Sequence, residues 1–129
     1  LENALRLSVN TFESAVLINN ESFFDFKPLP NYAQFSSTND IIIQDFNNDK
    51  INDIVLVGNM YHAEIETTRN DSGNGLLLQG IGNGDFKEIS VSKSGFFAPG
   101  DSKKIISLKS KNDNLLIIAN NDDRLQIFK

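Results

Sequence analysis

The sequence predicts an all-β fold, and three features carry that expectation. Short runs rich in β-branched and aromatic residues recur along the chain, clusters of Asn, Asp and Gly separate them, and no long stretch holds the 3.6-residue period of an amphipathic helix. Seventeen Asn and eleven Asp stand beside eight Gly in 129 residues. Such residues suit turns, because they accept left-handed backbone or bond to their own main chain. A chain built this way reverses direction often and makes poor helix.

Taken in order, the runs expected as strands are Leu5–Val9, Ala15–Ile18, Phe23–Lys27, Ile41–Phe46, Asp53–Val57, Glu64–Thr67, Gly75–Gln79, Phe86–Val91, Lys104–Leu108, Leu115–Ala119 and Leu125–Phe128. A short helix over Asn3–Val9 is the alternative reading of the first run. Asn74-Gly75 and Asn83-Gly84 are dipeptides that accept positive φ in tight turns, and Asn120–Asp123 separates two apolar runs at hairpin spacing. Pro28 and Pro30 end one run and open a longer crossing, Asn31–Asp40, without strand character; Pro99-Gly100 plays the same part before Lys104–Leu108.

Each crossing precedes a β-branched run, and Ile41 and Ile105 stand 64 residues apart. Many repeat arrays have periods of roughly 40–50 residues, so the excess is assigned to an insertion at Tyr61–Ser72. The expected organisation is the end of one unit over 1–30, a complete four-stranded unit over 31–97, and a partial unit over 98–129. The chain opens at Leu1 without a basic, apolar leader, a start expected of a trimmed or processed fragment.

Composition excludes several function classes. A net charge of −5 and a pI near 4.7 argue against nucleic acid, whose phosphates need clustered Lys and Arg. The one basic pair, Lys103-Lys104, is expected on a solvated strand edge. No apolar run approaches the roughly 20 residues of a membrane helix, so no membrane insertion by this segment is expected. Zero cysteines removes thiolate metal sites, a thiol nucleophile and any disulfide framework.

The sharpest chemical signal is Asp45-Phe46-Asn47-Asn48-Asp49-Lys50-Ile51-Asn52-Asp53. Oxygen-bearing side chains stand at its first, third, fifth and ninth places. Ca²⁺ is a hard cation that takes six to eight oxygens in a forgiving geometry. Asp45, Asn47, Asp49 and Asp53 can supply side-chain oxygens, and Ile51 its backbone carbonyl. An EF-hand would need a bidentate Glu at the twelfth place, where Leu56 stands inside a strand-like run. The loop therefore joins two strands. Mg²⁺ fits less well, since it prefers stricter octahedral geometry with retained waters. The alternative is a metal-free Asx turn. The sixth place favours that alternative, because such a loop often needs positive φ there and Lys50 is not glycine.

At these residues the chain resembles a known family. Asp45–Val57 is similar to the signature of FG-GAP/VCBS repeats, the blades of integrin-type β-propellers. The resemblance extends through Phe26–Pro30, Ala33–Phe35, Val57–Asn59, Arg69 with Asp71, Gly80–Phe86, Ser94–Phe96 and Gly100-Asp101, as in bacterial VCBS-repeat proteins of the ASPIC/UnbV type, relatives of cartilage acidic protein. It implies about two four-stranded antiparallel blades from the C-terminal end of a larger propeller. It also implies a Ca²⁺ site at Asp45, Asn47, Asp49, Ile51 (carbonyl) and Asp53. Lys50 departs from the family's glycine, and Asn70 stands where an aromatic is usual. Leu108–Lys111 replaces the metal loop in the final unit, which is expected to be metal-free. The function implied is a calcium-stabilised, extracytoplasmic binding or scaffold module, not an enzyme, that recognises a protein or glycan partner or associates with itself to complete a ring. The alternatives are a non-catalytic fragment of a propeller-type glycan-active enzyme and a purely structural end-cap.

Other constellations read as structure. His62 is the only histidine and is expected on the surface, with no G-x-S-x-G elbow to support a triad. Glu64 and Glu66 lie two apart and would share one face of a strand, near Arg69. Gly80–Gly84 lacks phosphate-loop spacing and reads as a glycine-rich hairpin. Phe23, Phe24 and Phe26 could stack on sugars or partners, but core filling is expected for at least two of them.

Overall fold

The computed structural model of the chain describes residues 4–109 and 113–129. Among these residues nine strands follow one another: β1 (Ala15–Asn19), β2 (Phe24–Pro28), β3 (Thr38–Gln44), β4 (Asp53–Gly58), β5 (Leu76–Gly82), β6 (Asp85–Ile89), β7 (Ser102–Lys109), β8 (Asn114–Asn120) and β9 (Gln126–Phe128). A 3-10 turn covers Asn31–Gln34, and a single helical turn, α1, covers Val91–Ser94. The strands form antiparallel sheets in the orders β1-β2, β3-β4-β5-β6 and β7-β8-β9. Among the described residues no sheet closes on itself. The all-β expectation holds.

The sheets stack with β4 in the middle. Ile54-Val55-Leu56-Val57 is a continuous apolar run, the pattern of a strand covered on both faces. Ile54 and Leu56 pack with Leu78, Leu29 and Ala33 on the side of β1-β2, joined by Val16. Val55 and Val57 pack on the other side with Phe96, Ala98, Ile105 and Ile118. Burying one such side chain contributes roughly 1.5–3 kcal/mol, so these two clusters hold the stack together.

The four- and three-stranded sheets begin alike. Ile41 faces Leu56, and Ile105 faces Ile118. The register shifts between Thr38 and Asp40, and again between Ser102 and Lys104. Asn59 N–H donates to the Ser37 carbonyl at 3.0 Å, and Asn121 N–H to the Asp101 carbonyl at 2.9 Å. The 64-residue spacing of Ile41 and Ile105 is thus a spacing between equivalent strand positions. β3 and β7 run side by side through Asp40, whose carboxylate accepts the Ile105 N–H at 2.9 Å and pairs with Lys104 at 3.0 Å. Burial pushes the Asp40 carboxyl up, but that N–H and the Lys104 ammonium outweigh it and hold the group below its ordinary range.

Several expectations need correction. Ala4–Val9 forms neither strand nor helix, and Leu5 and Leu7 are exposed with no sheet to join; Asn3 lies outside the described residues. Glu64–Thr67 is a turn closed by Thr67 N–H on the Glu64 carbonyl, so its two glutamates share no strand face. The reason is topological: β4 pairs directly with β5, leaving 59–75 as an excursion. β3 starts at Thr38, inside the crossing read as strandless, and ends at Gln44. β6 ends at Ile89, where α1 begins, with Gly95 as its left-handed cap at φ 68°. Lys103 and Lys104 are exposed on β7, the edge strand of its sheet, as expected, and there they bond Asp101 and Asp40.

The three N-terminal phenylalanines are exposed too. Leu17 pairs with Phe26 and Asn19 with Phe24, so these four share one face of the β1-β2 ribbon. Val16, on the opposite face, faces the core. Phe96 is buried, whereas Phe97 is half exposed. Part of Leu108–Lys111, read as the position of a lost metal loop, lies outside the described residues.

Candidate functional site

Residues 45–52 connect β3 to β4, the first two strands of the four-stranded sheet. The turn is wound from short side-chain to main-chain bonds. Asp45 accepts the N–H groups of Asp49 at 3.2 Å and Lys50 at 2.9 Å. Asn47 Oδ1 accepts Asp49 N–H at 2.9 Å, and its Nδ2 donates to Asp49 Oδ2 at 2.7 Å. Asp49 Oδ1 accepts Ile51 N–H at 2.8 Å. That N–H, and after it the Asn47 amide, holds the Asp49 carboxyl below its ordinary range. Alternating Asp and Asn thus fold the loop by capping its own donors.

Two residues of the turn have left-handed backbone, Asn48 at φ 62° and Lys50 at φ 71°. The sixth place therefore demands positive φ, as the spacing implied, and Lys50 meets that demand with strain. Lys50→Gly is expected to stabilise the protein by about 0.5–1 kcal/mol, with Lys50→Ala bringing no such gain. Urea titration of the three proteins measures this, and a neutral or destabilising Lys50→Gly would show that the backbone there is not under strain.

Asp53 behaves differently from its neighbours. It is 2% exposed; its Oδ1 accepts Gly80 N–H at 2.9 Å and its Oδ2 accepts Phe46 N–H at 3.0 Å. One carboxylate therefore clasps the start of the loop to β5. Gly80 is required at that joint, because a Cβ there would overlap the Asn52 carbonyl oxygen and sit 2.7 Å from Ile51 Cγ2. This clasp was not foreseen from sequence, where Asp53 read only as a ligand. A glycine inside a strand marks close backbone approach, and Gly80 was the available signal.

The five residues read as ligands thus lie in one loop. Asp45, Asn47 and Asp49 are tied together in its turn, Ile51 hangs on Asp49 through its N–H, and Asp53 is buried at the closing end. Among the described residues, no three His, Cys, Asp or Glu side chains converge as a ready-made metal group. The donor chemistry nevertheless fits a hard cation: three carboxylates and an amide oxygen, with no soft ligand. None of the ion pairs among the described residues involves Asp45, Asp49 or Asp53. Each N–H uses one lone pair of a carboxylate oxygen and leaves another.

Elsewhere, His62 is 74% exposed, as expected; its Nδ1 lies 3.2 Å from Asn121 Nδ2 and 3.8 Å from Asp101 Oδ2. Glu64 and Glu66 are exposed. Arg69 pairs with Asp71 at 2.7 Å and lies over the Tyr61 ring. No helix among the described residues is long and apolar enough to cross a membrane. Compared with protein-family models, with curated proteins and with solved structures, the chain matches none.

Proposed function

We propose that the chain is a calcium-stabilised segment of a β-propeller of the FG-GAP/VCBS-repeat type, with the 38–89 sheet as its complete blade. It works outside the cytoplasm as a non-catalytic binding or scaffold module. One observation carries this reading: Asp45, Asp49 and Asp53 sit in a single nine-residue loop, and among the described residues no basic side chain pairs with any of them. Crowded like charges destabilise a turn, and a bound divalent cation turns that repulsion into attraction. Asp45, Asn47 and Asp49, the Ile51 carbonyl and Asp53 would hold the ion. What it supplies is rigidity at the β3–β4 turn.

Recognition falls to the two ends of the stack. Leu17, Phe24 and Phe26 form an exposed apolar face at one end. Ile106, Leu108 and Ile127 form another on the side of β7-β8-β9 turned away from Ile105 and Ile118. Faces of this kind suit a protein or glycan partner, or a second copy completing a ring.

Calcium at about a hundred times its Kd is expected to raise stability by about 2.7 kcal/mol. Asp49→Ala should lower the melting temperature in calcium and abolish the response to chelator. A parent protein whose melting temperature ignores both calcium and chelator would refute the metal role. So would a mutant that still responds.

A further inference from the structure

The sheets at the two ends of the stack each leave one face uncovered. On β1-β2, Val16 packs inward while Leu17, Phe24 and Phe26 stand outward, with Leu17 directly opposite Phe26. On β7-β8-β9, Ile105 and Ile118 are buried while Ile106, Leu108 and Ile127 stand outward. Ile106 faces Ile117, which faces Ile127, so a row of isoleucines crosses all three strands. One end of the molecule is thus aromatic and the other aliphatic. Among the described residues no strand covers either face.

The area left in water is large for the mass. A compact monomer of 14.4 kDa exposes roughly 6,800 Å², whereas this chain exposes 9632 Å². Residues 4–12, which join no sheet, carry part of that excess. A stable interface of standard size takes about 800 Å² from each partner, so a chain engaged at both ends would bury about 1,600 Å². The excess, about 2,800 Å², is more than enough to supply it.

Charge says which ends meet. Residues 13–28 hold three acids, Glu13, Glu21 and Asp25, and one base, Lys27, which is committed to Asp85. Residues 102–129 hold six bases against three acids. Like ends brought together would set acids against acids or bases against bases, whereas unlike ends attract. We infer that the chain associates head to tail with copies of itself, the β1-β2 face of one copy seating on the β7-β8-β9 face of the next. The contact is heterologous, so each added copy leaves a free face at either end and growth continues past the dimer. This rests on the reading of the end faces as recognition surfaces and commits them to one occupant; it does not depend on the metal.

Sedimentation velocity of the full chain in calcium, from about 1 µM to about 500 µM, spans the weaker affinities that interfaces of this size show. The parent is expected to pass from monomer to species beyond the dimer. Phe24→Ser with Phe26→Ser removes one face, and Ile106→Ser with Ile127→Ser removes the other; all four side chains are exposed. Each double variant alone should associate at least about tenfold more weakly. An equimolar mixture of the two should form a heterodimer and stop there, since each keeps one intact face. Glu13→Lys with Glu21→Lys, just before β1 and in the β1-β2 turn, leaves the apolar faces alone and should weaken association severalfold; it serves where a serine variant misfolds. A parent that stays monomeric throughout overturns the inference and leaves the faces to a different partner. So does a mixture of folded variants that stays monomeric, or a charge variant that associates as the parent does. The melting response to calcium is read separately in dilute protein. A parent that melts higher in calcium yet stays monomeric loses this inference alone, and one that associates yet ignores calcium loses the metal reading alone.

Discussion

Replacing Asn59 with alanine is expected to cost about 3–5 kcal/mol and to lower the thermal midpoint by roughly 10–20 °C. Asn59 is 1% exposed and sits just beyond β4 in left-handed backbone at φ 79°. Its Nδ2 donates to the carbonyls of Gly73 at 2.8 Å, Pro99 at 2.9 Å and Gly100 at 3.1 Å. Its Oδ1 accepts the Gly73 N–H at 2.9 Å and the Ser36 hydroxyl at 2.6 Å. One side chain thus ties together the approaches to β3, β5 and β7. Truncation strips the Gly73 N–H and carbonyl of this partner inside the fold and leaves the Pro99 and Gly100 carbonyls with Tyr61 Oη and Ser102 alone, and the loss includes desolvation as well as the bonds. It also puts a Cβ with no compensating polar group at positive φ.

Two companion variants separate these causes. Asn59→Gly relieves the backbone and loses the bonds, so it should be nearly as damaging as alanine. Asn59→Asp keeps the shape but sets a carboxylate against three carbonyl oxygens, and should be the worst of the three. Thermal unfolding followed by circular dichroism reads all of them. A glycine variant as stable as the parent would show that the amide's bonds contribute little.

Legibility in the sequence followed the range of the interactions. β4 was plain because four consecutive apolar residues, Ile54–Val57, need no partner to be recognised as a buried strand. The Asn83-Gly84 reversal was equally plain, both residues having positive φ in the β5–β6 hairpin. The 45–53 loop was visible because its bonds run between residues two to five apart. Ile65 and Thr67 gave a strand-like pattern, yet Ile65 is fully exposed, since direct pairing of β4 with β5 leaves no edge there. Phe24 and Phe26 read as core because large aromatics usually are, yet no described strand covers their face of the β1-β2 ribbon. Lys103 and Lys104 are exposed as read, but the pairing of Lys104 with Asp40 was decided by tertiary packing. Asn59 stood in a recognised stretch, but its role depends on carbonyls up to 41 residues away.

Asp53→Ala should destabilise the protein whether or not calcium is added, by about 2–4 kcal/mol, because it strips two main-chain N–H groups of a charged acceptor. The Gly80 N–H is buried in that bond, so water cannot replace the lost oxygen without opening the joint between the loop and β5. Asp49→Ala is a different case. Asp49 is exposed and its bonds stay within the turn, so in chelator the variant should lie close to the parent. The pair of mutants thus separates the clasp at Asp53 from the proposed cation ligand at Asp49. Asp53→Asn sharpens the division: an amide keeps one good acceptor, and its cost should be less than that of alanine. Melting each variant in calcium and in chelator gives the answer. If Asp53→Ala were to match the parent in chelator and fall behind only in calcium, the carboxylate would act as a ligand alone. The bonds to Phe46 and Gly80 would then contribute nothing to the stability of the β3–β4 joint.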